Sequence, residues 1–282
     1  MPVKQYKTHG EAGSAPIDEA QHQMQEIRAV LSKYGLRDIY NCDETSYYWR
    51  MQPDRGLSTQ QLVRKKKGKE RISVTITANG DGSKREPLWI IGTAKNPRCF
   101  KNVNINSLGC QYCWNKKAWT RTDIMIDYLE CFNRKMAHQK RKVILLLDNF
   151  SAHQAAVAQL GGDQGLSNVQ ILWLSKNTTS AFLPNNQGII QTWKAHTRNH
   201  MLNWQVHQLD LHAMDLDPKL PTITLLQAIR WAVAAWSHDI KDSTIFNCFM
   251  KSTVKVYESE PTCSGMPSQV QPSNLEQLEE LG

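Results

Sequence analysis

A chain of 282 residues that is 40% hydrophobic can bury a sizeable core, as one large domain or two small ones. Its formal charge of +8 suits a polyanionic partner without identifying one. The 7 cysteines are scattered and odd in number, no signal peptide is visible, and no apolar run is long enough to cross a bilayer, so a reduced, intracellular protein away from membranes is expected.

Residues 1–16 are small and polar and read as a linker or arm. Pro16 and the acids Asp18 and Glu19 then open a helix with Met24, Ile27, Leu31 and Tyr34 on its apolar side, and Gly35 is the expected C-terminal cap. "RDIYNCDET" is a short strand that runs into acids. The stretch from Met51 to Glu70 has no period and holds a basic run. In "RISVTITANGDGSKREPLWIIG", Ile72, Val74 and Ile76 alternate with polar residues, Asn79-Gly80-Asp81-Gly82 supplies a turn, and a second apolar run returns, which predicts a β-hairpin. "TRTDIMIDYLECFNRKM" is an amphipathic helix, "KVILLLDN" a strand buried on both faces, and "SNVQILWLS" another strand. Two helices follow, one with Ile189, Ile190, Trp193, Met201 and Trp204 on its apolar side, the other with Leu225, Ile229, Val233 and Trp236. Residues 258–282 are polar, rich in Pro and Ser, and read as a disordered tail. The order predicts one mixed α/β domain over residues 17–257, a hairpin-led sheet with helices packed on it.

Two stretches place an aspartate at or near the C-terminal end of a strand: "YNCDET" with Asp43 and "LLLDNFSAH" with Asp148. Loops open above the carboxyl ends of strands in α/β sheets, so sites form there. Two carboxylates side by side repel, and a divalent cation is the natural counter-charge: Mg²⁺ takes a few carboxylates plus waters and phosphate oxygens. Two-metal phosphoryl transfer normally needs three acids to hold both ions. An aspartate at a strand end also serves as an ordinary turn former or helix cap, so these two alone do not decide.

Together, "YNCDETSYYWRM", "ANGDGSKREPLWIIGTAKNPR", "LLLDNFSAH", "LSKNTTSAFLPNNQGIIQTWKAH" and "TIFNCFMKS" resemble, in order and over nearly the whole chain, the DDE-type transposase domain of the pogo/Tigger lineage. That lineage includes centromere-protein-B-like and jerky-like proteins. The resemblance implies a ribonuclease-H-like (retroviral-integrase-like) fold in which three acids hold two Mg²⁺ ions for DNA strand cleavage and transfer. The first two acids fall on Asp43 and Asp148. The third, where the family usually has Asp before Gln-Gly, falls on Asn186, and the nearest aspartates, Asp163 and Asp210, are distant in sequence. Ser46, Ser175, Lys176 and "FLPNN" depart from the family pattern around the same site, which points to relaxed selection. The lineage's helix-turn-helix modules normally precede this domain, so DNA recognition of that type is not expected within these residues.

"RKKKGKER" supplies Arg64, Lys65, Lys66, Lys67, Lys69 and Arg71, suited to a DNA backbone or to nuclear localisation, and equally to a solvated loop. "CQYC" has zinc-ligand spacing in Cys110 and Cys113 but lacks a second pair. His153 is within reach of a pocket at Asp148, although a lone histidine is more often structural. Trp193, Trp204, Trp231 and Trp236 read as core, leaving Trp49 or Trp114 as exposed surfaces for base stacking. The expected function is that of a transposase-derived domain, domesticated or degenerate, nuclear and DNA-associated. Its catalytic set is Asp43, Asp148 and Asn186, its metal ligands are Asp43 and Asp148, and its two-Mg²⁺ site is weakened. The alternatives are a working Mg²⁺-dependent endonuclease and strand transferase, in which Asn186 still ligates, and a protein-interaction scaffold. Self-association into a homo-oligomer fits any of them.

Overall fold

The computed structural model describes residues 25–51, 70–174, 182–212 and 222–252. The arm over 1–16, the tail over 258–282, and Arg64, Lys65, Lys66, Lys67 and Lys69 of the basic run lie outside them.

A helix over 25–31 (α1) precedes β1 (Ile39–Tyr48), β2 (Arg71–Asn79), β3 (Leu88–Gly92) and β4 (Cys110–Trp114). Then come α2 (Thr122–His138), β5 (Val143–Asp148), α3 (Ser151–Gln159) and β6 (Val169–Leu174). The helices α4 (Ile189–His212), α5 (Leu225–Ala234) and α6 (Asp242–Lys251) follow. The strands form a mixed sheet in the order β4-β3-β2-β1-β5-β6. β1, β2 and β3 pair antiparallel, while β5 joins β1 in parallel and β6 joins β5 in parallel.

Alternation along β5 explains why the sheet is covered on both sides. Ile144 and Leu146 face a core shared with α1, α4, α5 and α6; Val143, Leu145 and Leu147 face a second core with α2 and α3. Each such side chain contributes about 1.5–3 kcal/mol when fully buried. Trp193 is the main anchor of α4: fully buried, it donates from Nε1 to the Ala232 carbonyl at 3.0 Å and meets Tyr47 edge-on at 5.6 Å.

Three local expectations change. β1 does not end at its acids. It continues to Tyr48 because β2 pairs with it through Tyr48 and Arg71, so Asp43 sits mid-strand, although parallel pairing with β5 stops at Asn41 and Leu146. Gly35 does not cap in the left-handed region, since α1 closes by Leu31 and Gly35, at φ −71°, leads into a 3₁₀ turn over Leu36–Asp38. Trp49 is buried, covered by the first core and by the Arg50 guanidinium 4.4 Å above its ring, whereas Trp114 is exposed. "CQYC" forms strand β4, and residues three apart on a strand point to opposite faces, so Cys110 and Cys113 do not converge on one metal ion.

Candidate active site

Asp43 and Asp148 are close enough for the charge of one to act on the other. β1 and β5 are parallel neighbours whose ladder ends with Asn41 beside Leu146, and each aspartate stands two residues beyond that last pair. Alternation sends Asn41 and Asp43 to the same face of the sheet. There the Asn41 side chain donates from Nδ2 to the Leu146 carbonyl at 3.1 Å and accepts from the Asn185 N–H at 2.8 Å. Asn185 in turn donates from its side chain to the carbonyl of Ile76, the residue paired with Asp43 in β2, at 2.9 Å. Two buried asparagines therefore pin the 3₁₀ turn Pro184–Gln187 onto the strands that carry the acids.

Asn186 follows directly and is exposed. Gly188 then turns the chain into α4 at φ 146°, a conformation open to glycine, with the Cys248 thiol of α6 packed closely against it. A groove of about 430 Å³ runs from Asn185 and Asn186 along Ile190, Lys194 and Arg198. The four-residue spacing of Ile190, Lys194 and Arg198 puts these three on one side of α4, beside Asn186 of the preceding turn, and is the sequence signal for the two basic residues. Burial pulls the Lys194 ammonium below its ordinary pKa; the Asp43 charge opposes that shift and neighbouring Arg198 adds to it.

Asp43 is electrostatically frustrated. Burial, followed by the charges of Glu44 and Asp148, raises its pKa from 3.8 to about 8 against the opposing pull of the Glu44 N–H and His153. His153, on α3, is buried between the other two acids, with Nε2 3.0 Å from Glu44 and Nδ1 2.7 Å from Asp148. The first contact is a hydrogen bond; the second is an ion pair outside hydrogen-bond geometry. Burial alone would lower the histidine, but the Asp148 and Glu44 contacts prevail and raise it to about 10. Glu44 was visible in the sequence as the residue after Asp43, but only the placement of α3 shows what it does.

The donor set fits a hard divalent cation. Two carboxylates each lie two residues past the last β1–β5 pair, and Asp43, held up first by burial and then by the charges of Glu44 and Asp148, would be relieved by a cation. Among the described residues, no group of three or more His, Cys, Asp and Glu side chains is arranged to hold a metal. The remaining predicted contact residue, Arg71, lies at the start of β2, with its guanidinium 5.2 Å from the Trp119 ring.

Residues 69–249 match the profile of the DDE superfamily endonucleases. The chain is 32% identical over 249 residues to CENP-B homolog protein 2 of Schizosaccharomyces pombe, an alignment covering 87% of this chain and 47% of that protein. It is 29% identical over 174 residues to Tigger transposable element-derived protein 4 of Mus musculus, covering 61% of this chain and 32% of that one. The chain thus spans half or less of the length of these relatives. Among solved structures, the mariner Mos1 paired end complex with Mg superposes with a TM-score of 0.51 at 12% identity, over 89% of this chain and 64% of that one. At that identity the likeness shows the fold alone, a ribonuclease-H-like sheet flanked by helices.

Proposed function

Because the chain belongs to the DDE superfamily endonuclease family, we propose that it is a DNA-associated, nuclear domain whose strand-cleaving chemistry is impaired at Asn186. The observation that carries this reading is Asp43, acted on by the charge of Asp148, beside a groove that offers an amide, Asn186, and the cations Lys194 and Arg198. Mg²⁺, named with the mariner complex, would be held by Asp43 and Asp148 and would polarise a phosphoryl oxygen and acidify a water. His153 holds the Asp148 carboxylate in place and partly neutralises it. Lys194 and Arg198 would attract the DNA backbone, adding salt-dependent affinity without reading sequence.

The amide of Asn186 keeps the shape of the family's acid but not its charge. Two divalent ions would bring four positive charges against two carboxylates, so the second binds weakly. Losing one preorganised electrostatic group costs on the order of 10²–10³ in rate. Incubated with DNA and Mg²⁺, the unmodified chain should leave the DNA intact, and Asn186→Asp should tighten divalent binding and restore nicking. Robust nicking by the unmodified chain, abolished by Asp148→Ala, would establish a working endonuclease instead. Absence of any salt-dependent DNA binding would leave an interaction scaffold.

A further inference from the structure

We propose that Trp119 is a stacking platform for an unpaired DNA base, an inference that rests on the DNA association proposed above. The indole is 54% exposed, and its loop is built to keep it so. Buried Asn115 grips the backbone of Trp119 from both sides: its Nδ2 donates to the Trp119 carbonyl at 2.6 Å, and its Oδ1 accepts from the Trp119 N–H at 3.2 Å and the Lys117 N–H at 3.1 Å. Ala118 between them is fully buried at φ 49°, a left-handed conformation that costs a residue with a Cβ, and its carbonyl is held by the Ser73 hydroxyl at 2.6 Å. A strained, tightly hydrogen-bonded loop that presents a large aromatic to solvent is what a binding surface requires.

The surroundings select the ligand. Arg71 donates to the Lys117 carbonyl at 3.3 Å and lies 5.2 Å over the indole, leaving the rest of the ring open. Tyr48, 40% exposed, Arg71, Lys117 and Trp119 line one pocket of about 490 Å³. Glu70 at its rim is engaged by Arg50 at 2.5 Å, so among the described residues lining it the charges without an acidic partner are Arg71 and Lys117. Aromatic rings with an excess of cations suit a base with its phosphate, and a paired duplex hides its base faces, so the occupant is an unpaired nucleotide. Tyr48 lies five residues beyond Asp43 on β1, about 17 Å at 3.3 Å per residue and on the other face of the sheet, so an unpaired strand would reach the pocket from the acids around the end of β1.

The test compares a flush duplex with the same duplex carrying a short unpaired extension that contains 2-aminopurine. The protein should bind the extended DNA about tenfold tighter and quench the probe. Trp119→Ala should lose that preference and the quenching, and Trp119→Phe, with an unchanged thermal midpoint, should retain most of both. Equal affinity for the two DNAs, or a Trp119→Ala protein that keeps the tenfold preference, overturns base stacking and leaves DNA association standing. Binding of neither DNA by the unmodified chain overturns both.

Discussion

Glu86 and Asp43 are acids set against the same sheet, and their surroundings are opposite. The Glu86 carboxylate is buried but receives Lys135 Nζ on both oxygens, at 2.8 and 2.7 Å. Its carbonyl accepts from Trp236 Nε1 at 2.8 Å, and next to it Arg85 pairs with Asp242 and donates to the Trp236 carbonyl at 3.1 Å. Asp43 has no ion-pair partner among the described residues, and two further carboxylates bear on it. At Glu86 charge is neutralised to hold the segment leading into β3 against α2 and the helical turn Ala235–Asp239; at Asp43 charge is left unbalanced. An acid left unbalanced at a cost to stability, beside an acid that has its own lysine, is what the proposed cation site requires of Asp43.

The largest stability effect should separate these two acids. Lys135→Ala strands the Glu86 carboxylate in the core and should cost about 2 kcal/mol in urea unfolding, a figure reduced from that of a fully buried pair because Lys135 is 40% exposed. Asp43→Asn removes a carboxyl that must take up a proton on folding at pH 7 and should instead stabilise the metal-free protein by about 1–2 kcal/mol. A loss of stability there would show that Asp43 is structural, as Glu86 is.

A cation sharpens the contrast. Mg²⁺ should raise the thermal midpoint of the unmodified chain by mass action, chelation should reverse it, and Asp43→Asn should erase the response. An equal Mg²⁺ response in Asp43→Asn would remove Asp43 from the cation site.

A further effect is in pH. Asp43 is raised in the folded state from 3.8 to about 8, so the stability linked to its proton is full below 3.8 and lost as pH climbs to about 8. His153 is raised from 6.5 to about 10, so its contribution is full below 6.5 and lost as pH approaches 10. The metal-free protein should therefore lose stability steadily towards alkaline pH. His153→Gln should flatten the upper part of the decline, and Asp43→Asn the lower part. A pH profile unchanged by either substitution would mean that the two groups are not coupled to folding.

Much of this arrangement was legible beforehand. The VILLL run of β5 could bury both faces only as a central strand, and the spacing of Ile124, Tyr128, Leu129 and Phe132 could form one face only as a helix. The hairpin announced itself by alternation, although only Gly82 of its expected turn glycines takes positive φ. β4 was missed because "CQYCW" alternates poorly and owes its extended form to parallel pairing with β3. The end of β1 was misjudged for a similar reason, since its partner β2, not its own residues, carries it past the acids.

In the site, Asp43, Asp148 and Asn186 could be singled out from the sequence, and their neighbours could not. Side-chain type and strand periodicity are local properties, so the residues themselves determined the hairpin, the amphipathic helices, and β5 with the acid that closes it. Register and helix placement are non-local. Only the folded sheet decided that the charge of Asp148 bears on Asp43, that His153 reaches both Glu44 and Asp148, that Asn41 holds Asn185, and that Lys135 neutralises Glu86. Each of those pairs joins elements distant in the chain, and burial fixes their charges only once the two cores have closed around them.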